Sequence, residues 1–369
     1  MPISRFRFSA LSLFLCAALA APAAIAQEAS SQPVSPLTSI VENWIASPHG
    51  DRTSESFVHW NDDGAVPENC ATCHSGPGLM DFLGADGTMV GKVDAPAPTG
   101  SPIDCVACHN KAASELQQIT FPSGEMITQA DSSAICMVCH QGRTSGDTVK
   151  AAIAGTEDDA VNGDLGFLNI HYRAAAATLL GGTVRGGYQY EGKIYADRFA
   201  HVPNFATCTT CHDPHTTKTV AIDQCVACHQ GVDDARAIRT TPGDLDGDGD
   251  ASEGISGEIA TLHDKLGAAI VLYASQVAGA EIVYDSHAYP YFFNDLNGNG
   301  TPDADEAQYP NRYQNWTPRL LRAAYNYQFV AKDPGAYAHN PRYALQLVHD
   351  SLEDLSARTE VDMSGLIRP

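Results

Sequence analysis

Ten of the chain's 11 cysteines fall into five copies of one unit, Cys-X-X-Cys-His. They are Cys70-Ala-Thr-Cys73-His74, Cys105-Val-Ala-Cys108-His109, Cys136-Met-Val-Cys139-His140, Cys208-Thr-Thr-Cys211-His212 and Cys225-Val-Ala-Cys228-His229. The remaining cysteine, Cys16, lies in an apolar N-terminal run. Two thiols at this spacing reach the two vinyl groups on one porphyrin edge and bind them as thioethers. The imidazole that follows then lies under the ring and ligates the iron. A disulfide framework does not place histidine after every second cysteine. Zinc ribbons group cysteines in fours and need no systematic histidine. The pattern therefore predicts five covalent haem c groups, with His74, His109, His140, His212 and His229 as proximal ligands.

Each iron then has a sixth position. Beyond the five proximal residues, nine of the 14 histidines remain: His49, His59, His171, His201, His215, His263, His287, His339 and His349. Methionine is the poorer donor here: Met137 lies inside a unit, and Met80, Met89, Met126 and Met363 share no context. Bis-histidine ligation closes the iron to substrate and gives a lower potential than Met/His. His215 stands three residues past His212, too near to cross to the far side of that same iron, and is expected on a neighbouring haem. His171, before an alanine run that lets a flat macrocycle approach, His201 before the fourth unit and His59 before the first are the next expected ligands. For the fifth, His263 beside a helical apolar stripe (Ile255, Ile259, Leu262, Leu266, Ile270) is preferred, with His339 the runner-up and His287 third. His49 and His349 are expected to face solvent.

Residues 1–26 read as a secretion signal. Arg5 and Arg7 precede a short apolar run, and Ala24-Ile25-Ala26 offers a small-X-small cleavage site. No later stretch has the uncharged length of a membrane helix, so the mature chain is expected to be exported without a transmembrane segment. Acidic residues outnumber basic ones 44 to 22. Nucleic acid and anionic membrane surfaces are accordingly disfavoured as partners, and cations and basic proteins favoured.

Residues 27–235 carry all five units and 236–369 none. The expected fold is mainly α and irregular: short helices and long loops around a haem chain, with few strands. One hairpin is expected around Gly181–Tyr190. The C-terminal region should form helices beginning at Pro318 and at Pro341, the second capped by Asn340. It also holds two acidic loops. Asp295, Asn297, Asn299, Thr301, Asp303 and Glu306, with Gly300 at the sixth place, match the twelve-residue calcium loop. Asp244, Asp246, Asp248 and Asp250, with Gly249, match its first part, but the twelfth place is Ile255. Glu253 or Glu258 must close that loop if Ca2+ binds; the plain alternative for both is a solvated acidic turn.

NIHYRAAAAT, GGYQYEGKIY, the CHDPH unit and AAYNYQFVAKDPGAYAHNPRYALQL make residues 55–355 resemble the multihaem c-type cytochromes of bacterial respiratory and extracellular electron transfer. The resemblance implies stacked bis-histidine haems and a periplasmic, outer-membrane or extracellular location. Its implied partners are redox proteins, a porin-cytochrome complex, or copies of the chain in a filament. Pentahaem nitrite reductases attach their catalytic haem through Cys-X-X-Cys-Lys, a unit absent from this sequence. The expected function is an exported pentahaem electron carrier for anaerobic or extracellular respiration. The alternatives are a multihaem reductase with one open iron, acting on a small nitrogen or sulfur compound, and a filament or conduit subunit.

Overall fold

The computed structural model describes residues 35–128 and 130–369, so the signal segment 1–26 lies outside the described residues. Among the described residues up to 235 the chain forms short helices, none longer than the ten residues of Pro36–Ile45, joined by loops. Three longer helices follow: Ile255–Tyr273, Pro318–Ala331 and Pro341–Ser356. The strands form two antiparallel pairs, Gln118–Thr120 with Met126–Thr128 and Ile282–Tyr284 with Phe292–Asn294. The fold is thus mainly helical and irregular, as expected. No helix among the described residues is long and apolar enough to cross a membrane.

The long helices begin where the sequence places their caps. Thr317 Oγ1 accepts the Leu320 N–H at 3.2 Å, with Pro318 in the first turn. Asn340 Oδ1 accepts the Tyr343 N–H at 3.1 Å, with Pro341 following. Each side chain satisfies a backbone donor that has no partner within the helix. The stripe Ile255, Ile259, Leu262, Leu266 and Ile270 is buried throughout. It packs with Tyr325, Phe329, Tyr343, Leu347 and Leu352 of the other two helices in a cluster that extends back to Phe57. The attachment region and the C-terminal helices therefore share one core.

A charged network crosses that core. Arg319 Nε meets Asp159 at 2.7 Å, Arg322 Nη1 meets Asp158 at 2.8 Å, and Arg322 Nε meets Asp354 at 2.6 Å. Asp354 also pairs with Arg319. Both guanidiniums are about nine-tenths buried, a position tolerable only when each charge is paired.

The hairpin expected around Gly181–Tyr190 does not form. A short helix, Ala175–Leu180, runs into a 3-10 turn at Gly181–Thr183 and then an irregular segment. Its backbone is satisfied by side chains of the C-terminal helices instead of a partner strand. The Tyr188 N–H donates to Asn326 Oδ1 at 2.7 Å, and the Tyr188 carbonyl accepts from Asn326 Nδ2 at 3.0 Å. Gly187 permits this approach, since a Cβ there would lie 2.3 Å from Leu347 Cδ1. Gly186, where a Cβ would lie 2.9 Å from Phe329 Cε2, and Gly187 mark a close helix contact, not a turn between strands.

Candidate haem and metal centres

The five Cys-X-X-Cys-His units share one local geometry. The histidine N–H bonds back to the carbonyl of the first cysteine at 2.7 Å in His109, 3.0 Å in His140, 2.9 Å in His212 and 2.9 Å in His229. The fifth, His74, ends the helix Glu68–His74. One such turn sets residues i and i+3 side by side on one face and i+4 next to residue i. All ten thiols are free of disulfides. Pairs of reduced thiols on single turns suit two thioether bonds to one macrocycle each.

Each unit's histidine faces a second imidazole. Ring centroids lie 5.7 Å apart for His74 and His171, 6.1 Å for His109 and His215, and 6.2 Å for His140 and His49. They lie 6.2 Å apart for His212 and His339 and 6.0 Å for His229 and His201. Two imidazoles on opposite sides of one metal, with metal–nitrogen bonds of about 2.0 Å, have centroids roughly 6.3 Å apart. All five spacings approach that value. The donor set fits five bis-histidine irons. His74 and His171 come nearest, with Nε2 atoms 3.4 Å apart.

His171, His201 and His215 stand opposite a unit histidine; two other expected ligands, His59 and His263, do not. His59 pairs with Glu55 at 2.7 Å and packs edge-on to Trp60, which separates it from His74. His263 stacks on Tyr327 at 3.9 Å, and its Nε2 bonds the Tyr327 carbonyl at 2.9 Å. His339, the runner-up, and His49, expected in solvent, stand opposite His212 and His140. The Ile103 N–H donates to the His49 carbonyl at 3.1 Å and holds that turn in place. His349, also expected in solvent, is buried in the last helix beside Asp350. His287 is exposed next to Asp285.

The outward ring nitrogens are held. His74 Nδ1 lies 2.7 Å from the Ser56 carbonyl and His140 Nδ1 3.0 Å from that of Arg173. A carbonyl accepts only, so each Nδ1 carries the proton and Nε2 is left as the donor atom. His339 Nδ1 instead meets both oxygens of buried Asp333, at 2.9 and 2.8 Å. Burial, above all, lowers the pKa of His49, His74, His140 and His212, and that of His171 to about 4. These rings are neutral at neutral pH, as ligation requires. Burial also works against charge on His339, but Asp333 outweighs it and its pKa is raised. His171 has φ 79°, and its N–H is held by Asn169 Oδ1 at 2.8 Å. Left-handed backbone at a non-glycine residue is strained and is kept where neighbours fix it. Asp213 Oδ1 accepts the N–H groups of His215 and Thr216, and this turn directs His215 to His109.

The units also adjoin one another. The Cys73 thiol lies beside Cys139, and Cys136 beside Cys208. Cys108 lies near Cys136 and Cys139, and Cys211 near Cys225. The third unit is therefore flanked by the first, second and fourth, and the fourth by the fifth.

The two acidic loops wind alike. Asp295 Oδ1 and Oδ2 accept the N–H groups of Gly298 and Gly300 at 2.7 and 2.8 Å. Asp244 Oδ1 and Oδ2 do the same for Gly247 and Gly249 at 2.6 and 2.8 Å. Glu306 Oε1 takes the N–H groups of Leu296 and Asn297; Glu258 Oε2 takes those of Leu245 and Asp246. Glu258 thus stands where Glu306 does, although three residues further along, while Ile255 is buried at the start of its helix. Asn297 and Asn299 Nδ2 donate to Asp303, and the Thr301 N–H donates to Asn299. Asp250 stands apart from the other acids, its Oδ1 taken by Ser252.

A family defined by a doubled Cys-X-X-Cys-His motif matches residues 95–144, which hold the second and third units. The C-type polyheme cytochrome OmcB of Geobacter sulfurreducens is 28% identical over 370 residues, covering 82% of this chain and 46% of the relative. OmcC of the same organism is 28% identical over 372 residues, covering 82% and 45%. The chain thus spans about half the length of these curated relatives. The crystal structure of the outer cell wall cytochrome OcwA aligns with a TM-score of 0.41 and 15% identity, over 86% of this chain and 50% of that one.

Proposed function

We propose that this chain, a multihaem c-type cytochrome, is an exported five-haem electron carrier with every iron held between two histidines. The ligand pairs are His74/His171, His109/His215, His140/His49, His212/His339 and His229/His201. The observation that carries the reading is the spacing of 5.7 to 6.2 Å in all five pairs, which leaves no unit histidine unmatched. Held by a histidine on each side, an iron would supply a one-electron couple and no substrate site. The protein's part is to fix distance and orientation. Adjoining thiols bring the attachment edges of successive units together, and His215, on the fourth unit's turn, reaches across to the second. Electrons would enter at the first or second unit, pass through the third and fourth, and leave at the fifth, or run in reverse. The acidic surface favours a basic redox partner.

Intact mass of the matured protein should show five added haems, and the reduced protein should bind no carbon monoxide. A smaller haem count would break the five-site reading, and one equivalent of carbon monoxide would favour a reductase.

Asp333 would act on the haem between His212 and His339 through its bond to His339. A carboxylate on Nδ1 raises ligand basicity and stabilises the oxidised iron. Asp333→Asn keeps the volume and removes the charge. It should raise the potential of one haem by roughly 60 mV, a tenfold change for a one-electron couple. Spectroelectrochemistry would show this as a shift in one part of the Soret titration, the rest staying in place.

A further inference from the structure

We propose that the 244–258 loop is a calcium site, with Asp244, Asp246, Asp248 and Glu253 supplying oxygens and Glu258, from the following helix, closing it. This inference is independent of the electron-transfer reading.

Carboxylate oxygens of Asp244, Asp246 and Asp248 converge within 4.8 Å of one another, and those of Asp246, Glu253 and Glu258 do likewise. Acidic turns at a surface are common; this one runs inward from exposed Asp248 to two buried acids. Asp246 and Glu258 are fully buried, yet Asp246 Oδ2 has no hydrogen-bond partner, and neither does Glu253 Oε1. A buried carboxylate oxygen without a partner is costly and calls for a cation at that point. Two basic side chains reach the cluster without meeting that need. Arg239 binds Glu258 Oε1 and the Glu253 carbonyl, and Lys265 binds the Asp246 carbonyl. Five carboxylates against two cations leave an excess that a divalent ion would largely neutralise.

Oxygen donors alone, several of them charged and in an irregular cage, suit Ca2+ better than the smaller, octahedral Mg2+. Gly257 makes room for the arrangement, since a Cβ there would stand 1.7 Å from Glu253 Oε2. The site also has a position to stabilise. The Ile367 N–H donates to the Leu245 carbonyl at 2.9 Å, and the Ile255 N–H to the Ile238 carbonyl at 3.2 Å. An ion here would fasten together the connector after the fifth unit, the start of the helix Ile255–Tyr273 and the C-terminal tail.

The test is a Ca2+ titration of chelator-stripped, haem-loaded protein by calorimetry, with melting temperature read in parallel. Asp246→Asn keeps the side-chain volume, and Glu258→Gln removes the closing charge. Each variant should bind one equivalent fewer than the wild type and lose that part of the calcium-induced rise in melting temperature, with the Soret spectrum unchanged. Should Glu258→Gln fail to fold, Asp246→Asn and Glu253→Gln carry the same test. Equal stoichiometry in wild type and Asp246→Asn would overturn the proposal. So would loss of all bound calcium on Glu306→Gln, since that residue closes the other loop.

Discussion

Reduced His339→Ala protein should bind one equivalent of carbon monoxide per chain, where the wild type binds none. Thioethers at Cys208 and Cys211 would keep that haem attached when the distal ligand is removed, so the iron would open without being lost. Its optical spectrum should gain a high-spin component amounting to one haem in five. His49→Ala should do the same for the iron on His140. His59→Ala and His263→Ala should leave the protein closed, because His59 is turned to Glu55 and His263 to the Tyr327 carbonyl. The four variants together separate the structural assignment from the sequence-based one. Carbon monoxide binding by His263→Ala, and none by His339→Ala, would reverse it.

The attachment sites were legible because their chemistry is local. Two thiols and an imidazole within five residues form one helical turn, and the sequence shows the whole unit. The distal histidines were legible only where the chain itself limits their reach. His215 is tied to His212 by a three-residue turn, so the sequence alone directs it away from His212's own iron, and it stands opposite His109. His201 lies just before the fourth unit yet faces the fifth, so proximity in sequence named the residue but not its partner. His49 lies 91 residues before His140, and its position depends on a bond from Ile103 that no local pattern predicts. His263 shows the opposite failure. Its helix was read correctly from the apolar stripe, but an imidazole beside such a stripe meets whatever packs there, which is Tyr327. The spacing does not say whether Glu253 or Glu258 closes the first calcium-type loop. The choice depends on where the helix Ile255–Tyr273 begins, and that is set by Ile255 entering the core. The misread hairpin has the same origin: Gly186 and Gly187 are small because helices lie against them.

Asp354→Ala should cost about 3 kcal/mol of unfolding free energy, read as a lower urea midpoint at unchanged slope. Breaking one partner out of a buried ion network typically costs about 3–5 kcal/mol, because a charge is left without compensation. Here Asp354 serves both Arg319 and Arg322, each about nine-tenths buried. Asp158 and Asp159 remain to them, but the Asp158 side chain is 51% exposed and its attraction is partly screened. That places the loss at the lower end of the range. The network is not a net source of stability by virtue of being ionic. Replacing Arg319 and Arg322 with methionine and Asp354 with leucine together should cost less than Asp354→Ala, since no buried charge is left on the C-terminal helices, while Asp158 keeps its water and Asp159 keeps Arg358. A large loss in the triple variant would mean that the charges themselves hold the segment 157–159 against the C-terminal helices. Neither variant should admit carbon monoxide in the folded state, because the network touches none of the five histidine pairs.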